Sequence, residues 1–287
     1  MNRCKLFLLT VICISSTLVF SQELYVFSEP ASNMPSGSLS AKYTFKWMKA
    51  THSNRIEQRH APELMLGLNK NWMFHTGVTF SDMYTSGIRW ESTWLYAKYR
   101  MLSIDDVHKH FRMALFGEYS YSRNHFFYDE LSLQGDQSGV QGGIIATQLI
   151  RKIAVSSTVS YIKVIGEKPK IAPDAFPYQA FNYSLSAGAL ILPRNYTNYR
   201  QTNLNLYLEL LGQQTLDKKR FYIDIAPAMQ LIFNSNTKLN VGYRRELSGN
   251  MHRMGERGWL VSIERTFLNA IKKRVVLSSS SPNELSL

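Results

Sequence analysis

The feature that most constrains this chain is an alternation of apolar and polar residues with period two, sustained over unusually long runs. It opens at Leu39, Ala41, Tyr43, Phe45 and Trp47, with Ser40, Lys42, Thr44 and Lys46 on the opposite parity. It returns at Trp72, Phe74, Thr76, Val78 and Phe80, and again from Phe111 through Met113, Leu115, Gly117, Tyr119 and Tyr121. Leu204, Leu206, Leu208 and Leu210 repeat it, as do Phe221, Ile223, Ile225, Pro227, Met229, Leu231 and Phe233. A strand sends successive side chains to opposite faces, whereas a helix repeats every ~3.6 residues, so these runs are strands. The pattern predicts strands at 38–49, 60–69, 71–84, 88–100, 108–122 and 138–150. In the second half it predicts them at 152–165, 178–193, 201–213, 219–233, 237–248 and 256–268.

Alternation alone fits a soluble barrel, a β-sandwich or a membrane barrel, and three observations separate them. The predicted strands run roughly 10–15 residues, whereas strands of soluble sheets average about 5–6. About ten residues of tilted strand cross an apolar band of ~25 Å, which matches. The links alternate between tight turns (69–71, 151–152, 234–236) and longer loops (49–59, 123–137, 166–177). The aromatic residues, 16 Tyr, 15 Phe and 5 Trp, gather near strand ends. Trp72, Phe111, Phe233 and Phe267 fall at one end, and Trp47, Tyr84, Tyr121, Tyr161, Phe181, Phe221 and Trp259 at the other. Two such girdles are what amphipathic rings form at the two membrane boundaries. The expected fold class is therefore all-β: a closed antiparallel up-and-down transmembrane β-barrel of about 12 strands. Closure leaves no unpaired sheet edge in lipid.

The ends add an address. Arg3 and Lys5 precede an apolar run at 6–20, shorter than the roughly 20 residues of a spanning helix, and Ser21 offers a small residue for cleavage. The expected organisation is a cleaved signal peptide at 1–21, a periplasmic entry segment at 22–37, the barrel at 38–268 and a periplasmic tail at 269–287. Cys4 and Cys13 both fall in the signal segment, which leaves no disulfide or thiolate chemistry for the mature chain. Ile12 before Cys13 argues against a lipid-anchored start. The formal charge of +12 drops by two when Arg3 and Lys5 leave. The remaining basic residues are scattered, which argues against nucleic acid as a partner and fits contact with lipid and lipopolysaccharide phosphates.

With its signal segment, its dyad strands and the stretch Tyr25-Val26-Phe27-Ser28-Glu29-Pro30-Ala31-Ser32-Asn33-Met34-Pro35, the chain resembles small outer-membrane β-barrel proteins of Gram-negative bacteria, in an uncharacterised subgroup. The resemblance implies outer-membrane localisation and insertion by the barrel-assembly machinery. Twelve-stranded members include narrow solute channels, a phospholipase and autotransporter pores. Phe267 suits the aromatic that closes the last strand in such barrels. The chain departs from that pattern by continuing past it, through Lys272-Lys273-Arg274.

Taken as inward, the polar parity presents Lys42, Lys46, Glu63, Arg112, Glu118, Glu209, Asp224, Arg244, Glu246 and Glu264 as lumen-lining candidates. Their mixed signs argue against strong anion or cation selectivity. They fit either a salt-bridged filled interior or a thin wet path with a constriction. Met251, His252 and Met254 share one loop, and thioether with imidazole suits a copper site. No catalytic motif is present and no cofactor is expected. The expected function is a narrow channel or transporter for small solutes or ions. The alternatives are a closed structural or adhesive barrel that binds a partner through its outer loops and, further off, an outer-membrane lipid enzyme or a metal-handling barrel.

Overall fold

The computed structural model describes residues 25–51, 55–107, 109–166, 176–193 and 200–271. The expected signal segment at 1–21 and the expected tail beyond 271 lie outside the described residues. The first six strands are β1 (Ser38–Lys49), β2 (Ile56–Gly67), β3 (Trp72–Ser81), β4 (Arg89–Asp105), β5 (Lys109–Ser122) and β6 (Gly139–Ile150). They are followed by β7 (Ile153–Val164), β8 (Gln179–Leu192), β9 (Asn203–Thr215), β10 (Phe221–Phe233), β11 (Thr237–Gly249) and β12 (Arg257–Phe267). Each strand pairs antiparallel with its neighbours in sequence, and β1 closes on β12 from Leu39 opposite Phe267 to Met48 opposite Gly258. The chain is a closed up-and-down barrel of twelve strands.

Burial along the strands is inside out, and this is why the sequence folds as it does. On β9, Asn203, Asn205, Tyr207 and Glu209 are buried while Leu206, Leu208 and Leu210 are exposed. On β8, Leu185 is 51% exposed between the fully buried Ser186 and Ser184, which is partly buried. Leu64, Leu95, Ile144 and Ile263 continue the same outward apolar belt. Such a surface is stable against lipid and not against water. Aromatic rings mark its limits. At the loop end Trp47 stacks on Trp259 at 6.3 Å, Trp90 on Tyr121 at 6.2 Å, and Tyr161 meets Phe181 at 5.8 Å. At the turn end Trp72 packs on Tyr99 at 4.9 Å. Tyr84 departs from the girdle expected of it: its hydroxyl donates to Asp136 at 3.0 Å and its ring packs on Tyr128, over the mouth of the barrel.

Two boundaries also differ from the alternation. β2 starts at Ile56, because Glu57 and Arg59 turn inward in continuous register with Met48 and Lys46. A polar inward parity with no apolar partner carries no sequence signal. β4 continues to Asp105 through a register shift between Arg100 and Leu102, where a bulge reverses the parity. The tight β10–β11 turn carries Asn234 at φ 50° and Ser235 at φ 56°. Two successive left-handed residues in this three-residue link give a turn whose twist matches that of the flanking strands.

The chain ahead of β1, read from the sequence as an entry segment, runs inside the barrel over its described part. It leaves the turn end at Gly37, rises to the middle of the wall near Ser28 and bends back. Tyr25 and Val26 then pack among Leu149, Ala154, Tyr207, Ala228 and Leu260. This core sits within the lumen.

Candidate functional site: a lumenal chamber with a floor and a roof

The floor is residues 25–36, held chiefly through their main chain. Glu209 on β9 accepts from the amides of Val26 and Phe27 with Oε1 and from Ser28 with Oε2, each at 2.9 Å. Ser28 and Ser186 share a hydroxyl contact at 2.8 Å, and Ser186 also donates to Glu209 at 3.1 Å. The amide of Ala31 donates to Thr147 Oγ1 at 2.9 Å. Lys98, fully buried, donates to the carbonyls of Pro30 (2.8 Å) and Ser32 (2.9 Å) and pairs with Glu29 at 3.4 Å. Burial raises the Glu29 carboxyl, but Lys98 foremost, with His75 and Lys42, holds it below the usual carboxylate range. Arg112 donates to Ser32 Oγ at 2.8 Å. Gly242 admits the segment: a Cβ there would stand 2.5 Å from the Phe27 ring.

The roof is the β5–β6 loop, 123–138, folded back into the mouth. Leu131 exchanges two hydrogen bonds with the Gln213 side chain, both at 2.8 Å. Leu131 and Leu133 pack on Ile162, Val164 and Ala180. Two arginine clamps secure it. Arg59 on β2 binds Glu91 at 2.9 Å, Asp136 at 2.6 Å and the Gln134 carbonyl at 3.2 Å. Gly135, at φ 122°, lies against that guanidinium, where a Cβ would come within 2.5 Å of it. Glu130 binds Arg244 of β11 and Arg253 of the β11–β12 loop, each at 2.9 Å. Arg253 reaches on to Asp224 at 2.8 Å and Glu246 at 2.9 Å and lies 3.8 Å above the Tyr222 ring. Arg244 Nε also pairs with Asp224. Burial raises the Glu130 carboxyl, yet Arg253 and Arg244 together hold it well below the usual carboxylate range.

Between them lies a chamber of about 340 Å³, floored by Tyr25 to Glu29 and roofed by Glu130 to Gln134. Its wall carries Lys42, paired with Glu63 at 3.6 Å, and His75, whose Nδ1 meets Glu63 Oε1 at 2.8 Å. Lys46, Trp94, Tyr96, Phe116 and Glu118 also line it, with Tyr96 and Phe116 stacked at 5.4 Å. The sequence candidates therefore divide into groups. Lys42, Lys46, Glu63, Glu118 and Arg244 face the chamber. Glu209 and Arg112 hold the floor, Asp224 and Glu246 hold the roof, and Glu264 pairs with Lys238 at 2.7 Å toward the turn end. Arg59, Glu91, Lys98, Glu130, Asp136 and Arg253 do comparable work without having been singled out.

The loop trio is spread over different surroundings. Met254 packs with Met83, Tyr128 and Met48 in a cap over the mouth, whereas His252 is exposed and its ring lies tilted against Tyr128 at 5.3 Å. Among the described residues no group of three His, Cys, Asp or Glu is placed to hold a metal ion.

No family model matches the chain, and no curated protein matches it in sequence. Solved structures do match. An outer membrane channel from Pseudomonas putida F1 aligns with a TM-score of 0.59 at 12% identity, covering 85% of this chain and 100% of that one. A KdgM porin aligns at 0.46 and 10% identity, over 79% of this chain and 99% of its own. A NanC porin aligns at 0.49 and 9% identity, over 79% and 98%. At these identities the likeness is one of fold: the small outer-membrane barrel.

Proposed function

We propose that this protein is an outer-membrane channel for small solutes, closed at rest by its own N-terminal segment below and its β5–β6 loop above. One observation carries the reading: the lumen holds a chamber of about 340 Å³ instead of a packed core. A barrel built only to be stable would fill this space, since twelve strands still allow side chains to meet across it. In this reading the outward apolar belt and its girdles face a bilayer, with the tight turns on the periplasmic side. Insertion by the barrel-assembly machinery, which the reading includes, supports that orientation. Lys218, Lys219 and Arg257 at the opposite end then face lipopolysaccharide phosphates. Lys42, Lys46, Glu63, Glu118 and Arg244 are the lining that a solute meets.

The test is single-channel conductance of the refolded mature chain in planar bilayers, beside Arg253→Ala, which removes the link from Glu130 to Glu246 and one of its two links to Asp224. Rare steps in the parent and frequent ones in the variant are expected. Stable insertion without current in either would overturn the channel. The clamped roof then becomes the leading feature, and it favours a closed barrel whose outer loops engage a partner.

A further inference from the structure

The chamber wall is unevenly satisfied. Around most of it the polar side chains pair with each other: Gln141 donates to Ser160 at 2.8 Å and Gln213 to Asn182 at 2.6 Å. On β3, β4 and β5 four chamber-facing residues each keep one polar atom out of that pairing. His75 Nε2, Trp94 Nε1, Tyr96 OH and Glu118 Oε1 are buried and have no hydrogen-bond partner among the described residues. His75, Trp94 and Tyr96 are each more than nine-tenths buried, at 5%, 5% and 8% exposure. They form one patch because the register makes them neighbours: His75 lies opposite Tyr96, and Tyr96 opposite Glu118. A buried polar group left without a partner costs about 1–3 kcal/mol, so four in one patch require a reason. Lys46, which approaches from β1 four strands away round the ring, likewise makes no ion pair among the described residues.

The chemistry of these groups defines what they bind. Trp94 offers one N–H donor, and Tyr96 a hydroxyl that donates or accepts. With Nδ1 of His75 donating to Glu63, Nε2 is an acceptor in the neutral ring. Two ionisable side chains of opposite type that form no ion pair among the described residues, Glu118 and Lys46, then decide the class. A singly charged solute satisfies one and leaves the other facing an apolar or like-charged neighbour, which is costly away from water. We propose that the chamber is a binding site for a small zwitterion, an amino acid or short peptide, with its ammonium at Glu118 and its carboxylate at Lys46. The stacked Tyr96 and Phe116 rings supply a flat apolar surface for its side chain. The proposal rests on the channel reading for how the solute enters.

The experiment separates binding from passage. Refolded full-length mature protein in detergent is titrated with glycylglycine (zwitterion), N-acetylglycine (anion), glycinamide (cation) and glycerol (neutral), with tryptophan fluorescence as readout. A Trp94→Phe variant identifies the signal of the chamber. Saturable binding of glycylglycine, tighter by roughly tenfold than either singly charged probe, is expected from one added charge-assisted contact. Lys46→Gln removes the preference over the cation, and Glu118→Gln the preference over the anion. Equal responses to all four probes, or none that saturates, overturn the proposal. The parent titration decides even if a variant does not fold. Liposome swelling with the same probes, run on the Arg253→Ala variant whose roof is released, tells the two readings apart. Discrimination in binding without any swelling sinks the channel and keeps the site, while swelling with no discrimination in either assay keeps the channel and sinks the site.

Discussion

Replacing Glu209 with alanine releases the floor. In the parent, one carboxylate accepts three consecutive backbone amides at 2.9 Å. A hydrogen bond to a charged group contributes about 1.5–3 kcal/mol net, so the ceiling for three is roughly 5–9 kcal/mol. Docking also strips water from the carboxylate, which offsets a good part of this. The contacts of Lys98 and the packing of Tyr25 and Val26 survive the change. A net loss of about 3 kcal/mol is the expected size, enough to turn a 99:1 docked ratio into a roughly even one. Glu209→Gln should fall between, because its carbonyl can still take Val26 and Phe27 while its amide nitrogen meets the Ser28 N–H.

Cys4 and Cys13 are the two cysteines of the chain, so in protein produced without residues 1–21 Ser28→Cys reports the docked state through its labelling by a charged maleimide. If opening is fast compared with labelling, the rate tracks the undocked population. Glu209→Ala should then raise it by about thirtyfold or more, with ~3 kcal/mol as the source of that factor. Heat-modifiable migration on gels confirms that the barrel itself is intact. Equal labelling rates in two folded barrels would refute the assignment of the floor to Glu209.

Three further outcomes follow from the same geometry. Glu130, faced by Arg244, Arg253, Asp224, Glu246 and Tyr222, has its carboxyl lowered on docking. The roof contribution is therefore complete above the ordinary carboxylate value of about 4.3 and lost only as pH falls further, through the lowered one; conductance flat from neutrality to about pH 5 and rising in stronger acid is the expected profile, and a rise already near pH 6 contradicts it. Leu185→Arg on the lipid face of β8 should cost roughly 2–4 kcal/mol in urea unfolding from liposomes, the midplane figure for a basic residue, and a cost below about 1 kcal/mol would place Leu185 near an interface instead. Gly77→Ala sets a Cβ 2.7 Å from the Trp94 ring, so it should shift tryptophan emission and destabilise by about 1–3 kcal/mol, whereas an unchanged spectrum would mean that the ring is not packed there.

How much of this could be read in advance depended on which interactions have a period. The barrel was legible because every strand must put one parity in lipid, and Leu206, Leu208 and Leu210 on β9 declare that parity unmistakably. Where both parities are apolar, the signal fails. On β4, Trp94 and Tyr96 point inward beside Leu95 and Ala97, so the inward charge two residues on, Lys98, was hidden among apolar neighbours. Arg59 was lost for the opposite reason: it sits in a polar strand start that reads as loop. The roof pairs join residues as far apart as Glu130 and Arg253, 123 positions along the chain, and no local pattern encodes such a distance. The floor was the least legible element, because backbone amides of Val26, Phe27 and Ser28 carry no residue identity at all.

That difference in bonding gives the two closures different sensitivities. The floor is held by main-chain amides on one carboxylate, so substitutions at the side chains of Val26 or Ser28 should perturb it less than a change at Glu209. The roof is held by side-chain ion pairs that reach from Arg59 to Asp136 and from Arg253 to Glu130, and both are partly reached by solvent at the acidic partner. Salt should weaken the roof more than the floor, because the more exposed pairs are the ones screened. Glu209 and Arg253 share no partner in the network described, so their variants should act independently and their free energies add to within about 0.5 kcal/mol in a double-mutant cycle. A coupling beyond that, read from maleimide labelling of the Ser28→Cys reporter in Arg253→Ala and in the double variant, would mean that floor and roof move as one body. The chamber would then open at both ends together, as a pore does. Independence would let one end open while the other stays closed.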